Sequence, residues 1–585
     1  MEDFDDPVGD WSSHFRDLHA KLVGEHFEKL VVRSGVDEQQ NVRTVAELRV
    51  LEARQSDDNA ARKRWRIARA VSVVAVIALV AVALIQKGPW LFAFVPAAGL
   101  TLLVFLKVNP EIAHLNQDLG VLAQQVKAKS DEAWAQMEPL NRLFTWDTAP
   151  ALLQATHPGF ALDRYLTADR LADLQSTYGL ESSFNDGRSV LSTLSGTNNG
   201  NPFVLTRYLH HWMGLKTYTG SIVISWSERV RDVNGNWTTQ MRTETLTASV
   251  DHPFPEYRVG TTLLFGHEAA PDLVFNRVPS KLSGSMDDDR SHRRLERSIK
   301  KIEKKARKEI TKGDGQLTVM ANREFEALFN AVDRNDETQF RLLFTPLAQQ
   351  EMVRLLNDRT VGNGDDFSFS KQRRMNLIET KHLADLRTDA DPAMFRSLEL
   401  ARARTFFADF HAAWFKAIYF AFAPLWTIPL YRDRRSLPGG PSAQRDRTSS
   451  NWEHEVMSNL IGEDRFRHPE SATSNILRTA ATVNPDGTSD VTVVAHGYKG
   501  IPQVDFVPVL GGDLKVHQVP VHWTEYLPVQ NQTRILVSSV QDPSLSSAGE
   551  TDQESVDRWV AAVRARGLDP YKVWFRNGLA AAVVG

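Results

Sequence analysis

Two short runs set imidazoles beside further donors: His210-His211 and His267-Glu268. A zinc site needs three or four ligands at set spacing, and neither run belongs to an H-E-x-x-H helix or to a spaced histidine and carboxylate set. Neither is expected to hold a metal. Asn484-x-Asp486-x-Thr488-x-Asp490 alternates oxygen ligands as a calcium loop does. That loop needs a glycine at its sixth position and a glutamate at its twelfth, where this chain has Ser489 and Ala495. A hairpin turn is the better reading. Val494-Ala495-His496-Gly497 carries a His-Gly step of the kind found near oxyanion holes, but the chain has no G-x-S-x-G elbow for it to serve. Gly511-Gly512-Asp513 lacks the Lys-Ser or Lys-Thr of a phosphate loop and is expected to be a tight turn between strands.

No complete dinucleotide fingerprint or kinase set is present, and no cofactor is assigned. Asn236-Trp-Thr and Asn531-Gln-Thr are formal sequons that would have no meaning in a cytoplasmic domain. If the chain is an enzyme of an unrecognised class, the C-terminal strands would have to bring His496, Asp505, His517 and His522 together.

One cluster has clear physical force. From Arg290 to Lys312 there are eleven cations (Arg290, Arg293, Arg294, Arg297, Lys300, Lys301, Lys304, Lys305, Arg307, Lys308 and Lys312) against three glutamates. Leu295, Ile299, Ile302 and Ala306 mark one narrow apolar face, so the spacing predicts a basic amphipathic helix stopped by Gly313 and Gly315. At a membrane, anionic headgroups attract each such cation by about 1 kcal/mol. The plainer alternative is a solvated helix that keeps a linker extended. Nucleic acid is the weaker partner, since no aromatic is interleaved with the charges to stack on bases.

The whole chain does not share that charge: 69 basic and 72 acidic residues leave a net -3 over 585 residues, so any attraction to lipid or nucleic acid must be local. Cysteine is absent, which excludes disulfides, thiolate metal sites and a cysteine nucleophile. The acidic start, Met1 to Asp6, is not a secretory signal.

The elements that would position these groups begin with an anchor. Ala70 to Ile85 and Trp90 to Leu106 are uncharged, separated by Gln86-Lys87-Gly88-Pro89 and bracketed by Arg69, Lys87 and Lys107. Each run is a little short of the ~20 residues that cross a bilayer core, a deficit that flanking cations cover by snorkelling. The expectation is a transmembrane helical hairpin over 67–107. Arg62, Lys63, Arg64, Arg66 and Arg69 precede the first run against Lys87 alone in the turn, which places both flanks in the cytoplasm at the inner (plasma) membrane.

Around the anchor, residues 1–66 are expected as N-terminal helices, one of them around Phe15, Leu18, Leu22, Phe27 and Leu30. Residues 108–199 form a helical stalk and connector, in which Ile112, Leu115, Leu119, Leu122 and Val126 make a coiled-coil-like seam facing Val45, Leu48 and Leu51. Residues 200–280 form a β-containing domain. Ile222, Ile224 and Trp226 alternate with smaller or polar residues, Asn234-Gly235 turns into Thr238–Val250, and Pro253 and Pro255 mark a turn before a further strand at Arg258–Phe265. The basic linker is 281–315. An α+β segment at 316–435 ends in the aromatic run Phe406–Tyr431, expected as a core or interfacial helix rather than a third span because Asp409, Lys416, Pro424 and Pro429 interrupt it. A loop at 436–450 leads to a C-terminal β-rich or α+β domain at 451–585. Its strands are expected at Val491–Ala495, Val504–Leu510, Val516–Trp523 and Arg534–Ser539, with a last helix over Val556–Ala565 capped by Gly567. The fold class is therefore mixed α+β.

The order Asn322-Arg-Glu-Phe-Glu-x-x-Phe329, then Phe344-Thr-Pro-Leu347, then Phe367-Ser-Phe-Ser370 resembles a bacterial family of unknown function, often carried by proteins with a paired N-terminal membrane span. The resemblance covers about residues 210–430. It implies a membrane-tethered architecture and no activity or site residue. The functional expectation is thus a membrane-anchored cytoplasmic scaffold or binding protein whose partners are the bilayer, anionic headgroups and an unidentified protein.

Overall fold

A computed structural model describes residues 6–584 apart from 86–93, 232–235, 281, 284–288, 312–319, 332, 385, 387, 434–447, 485–487, 540–556, 558–559, 562–563 and 565–572. It is a mixed α+β protein, 48% helix and 32% strand, with two antiparallel sheets among the described residues. The chain divides into two compact units: Met1–Leu22 with Trp146–Asp391 and His411–Gly585, and Val23–Thr145 with Pro392–Phe410.

The smaller unit is helical. α1 (Pro7–Asp10) and the first residues of α2 (Arg16–Ser34) belong to the larger unit, and the rest of α2 leads here into α3 (Glu38–Ile85). α4 (Phe94–Leu103) then continues through a π-helical turn at Val104–Val108 into α5 (Asn109–Asn141). α3 and α5 are antiparallel: Asn41 and Thr44 meet Gln136, Lys129 meets Glu47, and Arg62 meets Asn116. Val45, Leu48, Ile112, Leu119 and Leu122 are buried, as their three-and-four spacing requires. Phe27, Phe144, Phe395 and Phe407 close the other end, with Phe27–Phe407 at 5.3 Å and Phe144–Phe395 at 5.7 Å.

Further along the same pair the cover is missing. Val71, Val74 and Ile77 of α3, Val95 and Leu102 of α4, and Phe105 and Leu106 in the π-helical turn are all exposed. Among the described residues one helix, Phe94–Asn141, is long and apolar enough to cross a membrane, and only 17% of its most apolar stretch is buried. α3 and α4 touch one another. The expected turn at Gln86–Pro89 lies outside the described residues.

The larger unit holds α6 (Thr148–Thr156), α7 (Ala168–Ser176) and both sheets. In chain order the first sheet uses β1 (Phe160–Leu162), β2 (Arg188–Asn198), β3 (Asn201–Arg231), β4 (Trp237–Gly266), β5 (Val274–Arg277), β6 (Phe367–Gln372) and β7 (Met375–Thr380). Their order across the sheet is β1-β2-β3-β4-β7-β6-β5. The second uses β8 (Ile476–Val483), β9 (Thr488–Leu510), β10 (Val516–Ser539), β11 (Val573–Arg576) and β12 (Leu579–Val584), ordered β11-β12-β10-β9-β8.

β3 and β4 form the expected long hairpin, with Trp226 opposite Arg242; Asn234-Gly235 lies outside the described residues. Pro253 and Pro255 do not break β4, contrary to the expectation of a turn. They lie opposite Leu215 and Met213, where among the described residues β4 pairs only with β3, and a strand edge has no ladder partner to lose. The same holds for the expected separate C-terminal strands, which are two continuous strands, β9 and β10, paired from Ser538–Thr488 to Val516–Leu510. The last helix expected at Val556–Ala565 falls mostly outside the described residues.

Between β5 and β6 come α8 (Asp289–Thr311), α9 (Arg323–Phe329), α10 (Glu337–Leu343) and α11 (Pro346–Asn357). Thr345 caps α11 by accepting from the Ala348 amide, with Pro346 in the first turn. The aromatic run is α12 (Leu400–Trp426), whose second half is a core helix. Trp414, Phe415, Ile418, Tyr419 and Phe422 are buried, with Phe422 edge-on to Phe160 and Phe203 at 5.0 and 4.9 Å. α13 (Asn451–Ile461) follows, capped by Ser450.

Candidate functional site

Among the described residues, β3 and β4 share ladder pairs only with each other beyond His210 and Arg258, and beyond His496 the same holds for β9 and β10. The two hairpins leave their sheets here. They then stack through Ile224, Leu246, Ala248, Val519 and Val521. At the place of departure lies an open cavity of about 550 Å³, lined among others by His211, Arg478, His496, Tyr498, Pro528 and Gln530.

Register puts these side chains there. His496 sits opposite Ile476 on one side and Gln530 on the other, and Tyr498 sits opposite Pro528. The His211 amide donates to the Gly187 carbonyl at 2.9 Å, which ties β3 to the residue before β2. Gly497 lets these strands lie close: a Cβ there would come within 2.3 Å of Asn475 Oδ1 and Ser471 Oγ, so both side chains would have to move. Thr473 Oγ1 accepts from both the Tyr498 amide and the Tyr257 hydroxyl, each at 3.1 Å. The His211 ring lies 5.1 Å from Tyr257 and 5.2 Å from Tyr498. Its Nε2 is buried without a hydrogen-bond partner.

Arg478 supplies the fixed cation. Its Nη1 donates to the carbonyls of Asn185 and Arg188 and stands 3.5 Å from Glu455. Glu455, on α13, is fully buried and accepts from Asn185 Nδ2 and the Val190 amide at 3.0 Å each. Burial pushes its carboxyl up to about 7, against the pull of Arg478 and those hydrogen bonds. Burial also lowers His211, with His210 adding to it, and lowers His496, with Arg478 adding to it. Both imidazoles are therefore neutral near pH 7. The lining has one exposed carboxylate, Asp186, and its only hydroxyl is the Tyr498 phenol. That set can bind and orient, and it holds no serine, threonine or cysteine nucleophile.

The four residues expected to make a C-terminal active site are not brought together. His496 lines the cavity, whereas Asp505 pairs with His252 at 2.7 Å and accepts from Trp523 Nε1 at 3.0 Å, inside the contact between the hairpins. His517 pairs with Asp513 at 3.0 Å, and His522 is exposed. His267 is buried, accepts from the Ala269 amide through Nδ1 and is lowered to about 4 by burial. Among the described residues no group of three or more histidines or carboxylates could hold a metal ion. The Asn484 amide donates to the Thr488 carbonyl at 2.8 Å and its Nδ2 to the Thr488 hydroxyl at 3.0 Å, while the residues between them, 485–487, lie outside the described residues.

The basic helix forms over Asp289–Thr311. Leu295 is buried, Ile299 and Ile302 are half-buried, and Glu303 pairs with Arg323 of α9. Arg293, Arg294, Arg297, Lys300, Lys301 and Lys304 are exposed. The helix thus turns its apolar side inward and its cations outward. The side chains of Arg290, Lys305, Arg307 and Lys308, and all of Lys312, lie outside the described residues.

Sequence reasoning missed Arg478 and Glu455. A signal existed: Glu453-His454-Glu455 are consecutive titratable residues between Trp452 and Val456-Met457, so a short helix packed on its apolar side must bury some of them. Glu453 is buried as well, holding the Leu166 amide at 2.7 Å and Arg576 Nη1 at 2.6 Å, while Arg576 also grips Asp389 at 2.8 Å. No family model, no curated protein and no solved structure matches this chain.

Proposed function

We propose that the chain is a membrane-anchored scaffold or binding protein, held in the inner membrane by the uncharged end of α3 together with α4, with both flanks of this hairpin cytoplasmic. The observation that carries it is the uncovered aliphatic surface of Val71, Val74, Ile77, Val95, Leu102, Phe105 and Leu106. Apolar surface left in water costs roughly 25 cal/mol per Å², and a bilayer removes that cost. Arg62, Lys63, Arg64, Arg66 and Arg69 support the orientation.

Two exposed surfaces support the binding half of the reading. The cations of α8 face outward, where anionic headgroups would meet them. Phe506, Leu510, Leu514 and Val516 are exposed together on the outer side and turn of the β9–β10 hairpin, an apolar patch of the kind that receives a protein partner.

The test uses the absence of native cysteine. Single cysteines at Lys87 and at Ser130 are introduced, and labelling by a membrane-impermeant maleimide is followed in intact and opened cells. Labelling of Lys87→Cys from outside and of Ser130→Cys only after opening is expected. Recovery of the protein in the soluble fraction after alkaline extraction would end the anchor reading. The alternative reading, a tethered enzyme with its site in the C-terminal strands, keeps one supporting observation, the place of His496 in the cavity. Loss of the cellular phenotype on replacing His496, Asp505, His517 and His522 together would favour it.

A further inference from the structure

We propose that the cavity where the two hairpins leave their sheets is a binding site for a small oxyanion carrying a flat ring, an aromatic carboxylate or an aryl phosphate. The proposal does not depend on the anchor, since every residue it uses belongs to the larger unit.

Size, charge and shape each narrow the ligand. A cavity of about 550 Å³ falls within the range that small-molecule sites occupy. Among the described residues Arg478 is the one lining side chain with a permanent positive charge, and a planar guanidinium suits carboxylate and phosphate oxygens. It is part of a built site, held on Nη1 by the Asn185 and Arg188 carbonyls, so its position is fixed before a ligand arrives. Glu455 stands 3.5 Å from it, buried and outside the lining. A cationic ligand would meet the guanidinium unfavourably and find only the exposed Asp186 at the rim.

The ring follows from the other walls. Pro528 and Val529 offer apolar surface, and Tyr498 and His211 offer ring surfaces beside it. The buried and unpartnered Nε2 of His211 is a polar atom that the fold leaves to be satisfied from the cavity. A ligand with its ring along this wall and its oxyanion at Arg478 and His496 uses the apolar and the cationic ends together, and a polar ring substituent would also reach His211 Nε2. Inorganic phosphate would use only the polar end.

Isothermal titration calorimetry on the full chain in detergent micelles tests this, with inorganic phosphate, benzoate and phenyl phosphate as probes. At least one aromatic probe is expected to bind at least tenfold more tightly than inorganic phosphate, and the stronger of the two identifies the oxyanion. Arg478→Gln and Tyr498→Leu are each expected to weaken that probe at least tenfold. Because Arg478 also holds two carbonyls, His496→Ala, whose side chain makes no structural hydrogen bond shown here, serves as the variant that leaves the fold intact, with an unchanged melting temperature as its control. An imidazole nitrogen of His211 that shifts on saturation in nitrogen NMR would place the ring. Failure of both aromatic probes to bind below about 1 mM, or affinity unchanged in all three variants, would overturn the proposal.

Discussion

Two apolar helical runs in this molecule meet opposite fates. The α3–α4 pair is aliphatic and bare, with Val74 at 65% and Phe105 at 71% exposure, while α12 is aromatic and covered, with Trp414 at 1% and Phe415 at 0%. Hydrophobic content does not separate them. The second half of α12 carries rings that interlock with Trp11, Phe160 and Phe203, and its Trp414 Nε1 finds the Thr388 carbonyl at 2.9 Å. The α3–α4 run offers mostly β-branched and aliphatic surface, and of its few polar side chains Thr101 turns its hydroxyl back to the Ala97 carbonyl of its own helix at 2.8 Å. What covers an apolar helix depends on whether its side chains can be packed one against another, and on which polar atoms they bring.

The largest effect expected from breaking this contrast is in α12. Trp414→Ala should cost about 3–5 kcal/mol and lower the melting temperature sharply, or prevent soluble accumulation, as read by calorimetry. Ile77→Glu should behave in the opposite way. It should leave the melting temperature of the larger unit unchanged but lower membrane retention after alkaline extraction, because a charge at the centre of a span costs about 2.5–3.5 kcal/mol.

The contrast extends from apolar groups without cover to charged groups with too much of it. Lys371 is fully buried, its Nζ donates to the Ala269 carbonyl at 3.1 Å, and burial lowers it to about 7. A base whose folded pKa lies below its unfolded value of 10.5 makes stability rise as pH rises from about 7 towards 10.5, because there the unfolded chain binds the extra proton. Lys371→Met should remove that rise and stabilise the protein by about 2 kcal/mol at neutral pH, measured by urea unfolding across the range. Glu455 has the reverse slope. Its acid is raised from 4.5 to about 7, so stability falls as pH rises through that window, and Glu455→Gln should flatten the fall while changing stability near pH 5 by less than about 1 kcal/mol.

The smallest effect is expected at α8. In nanodiscs, acylation of Lys300, Lys301 and Lys304 should slow about threefold when anionic lipid replaces zwitterionic lipid, a factor of the size that surface charge gives near a bilayer. Equal rates in both lipids would leave these cations as a solvated face only.

Much of this contrast was legible in the residue pattern. The three-and-four spacing of Ile112, Leu119 and Leu122 located a helix seam, and Leu295, Ile299 and Ile302 located the inward side of α8 before its cations could be placed. Pro253 and Pro255 misled because proline excludes ladder hydrogen bonding only on a paired edge, and which edge is paired is a property of the whole sheet. The cavity was illegible for a related reason. His211 and His496 are nearly three hundred positions apart in the chain, and nothing in local spacing records that two hairpins leave two sheets at one place. The buried carboxyl of Glu455 was within reach, since three adjacent titratable residues on a short apolar-sided helix cannot all face water.

The length of those hairpins has a mechanical consequence. β3 runs for 31 residues, a contour of roughly 100 Å at about 3.3 Å per residue, and most of it lies beyond the last strand that braces it. Stacking on β9 and β10 through Val519 and Val521 turns two pliant ribbons into one stiffer beam. A load on the stacked hairpins would therefore be delivered as torque at their root, where the His211 and Tyr498 rings meet at 5.2 Å. The cavity lies at that root, so bending the hairpins would change its width.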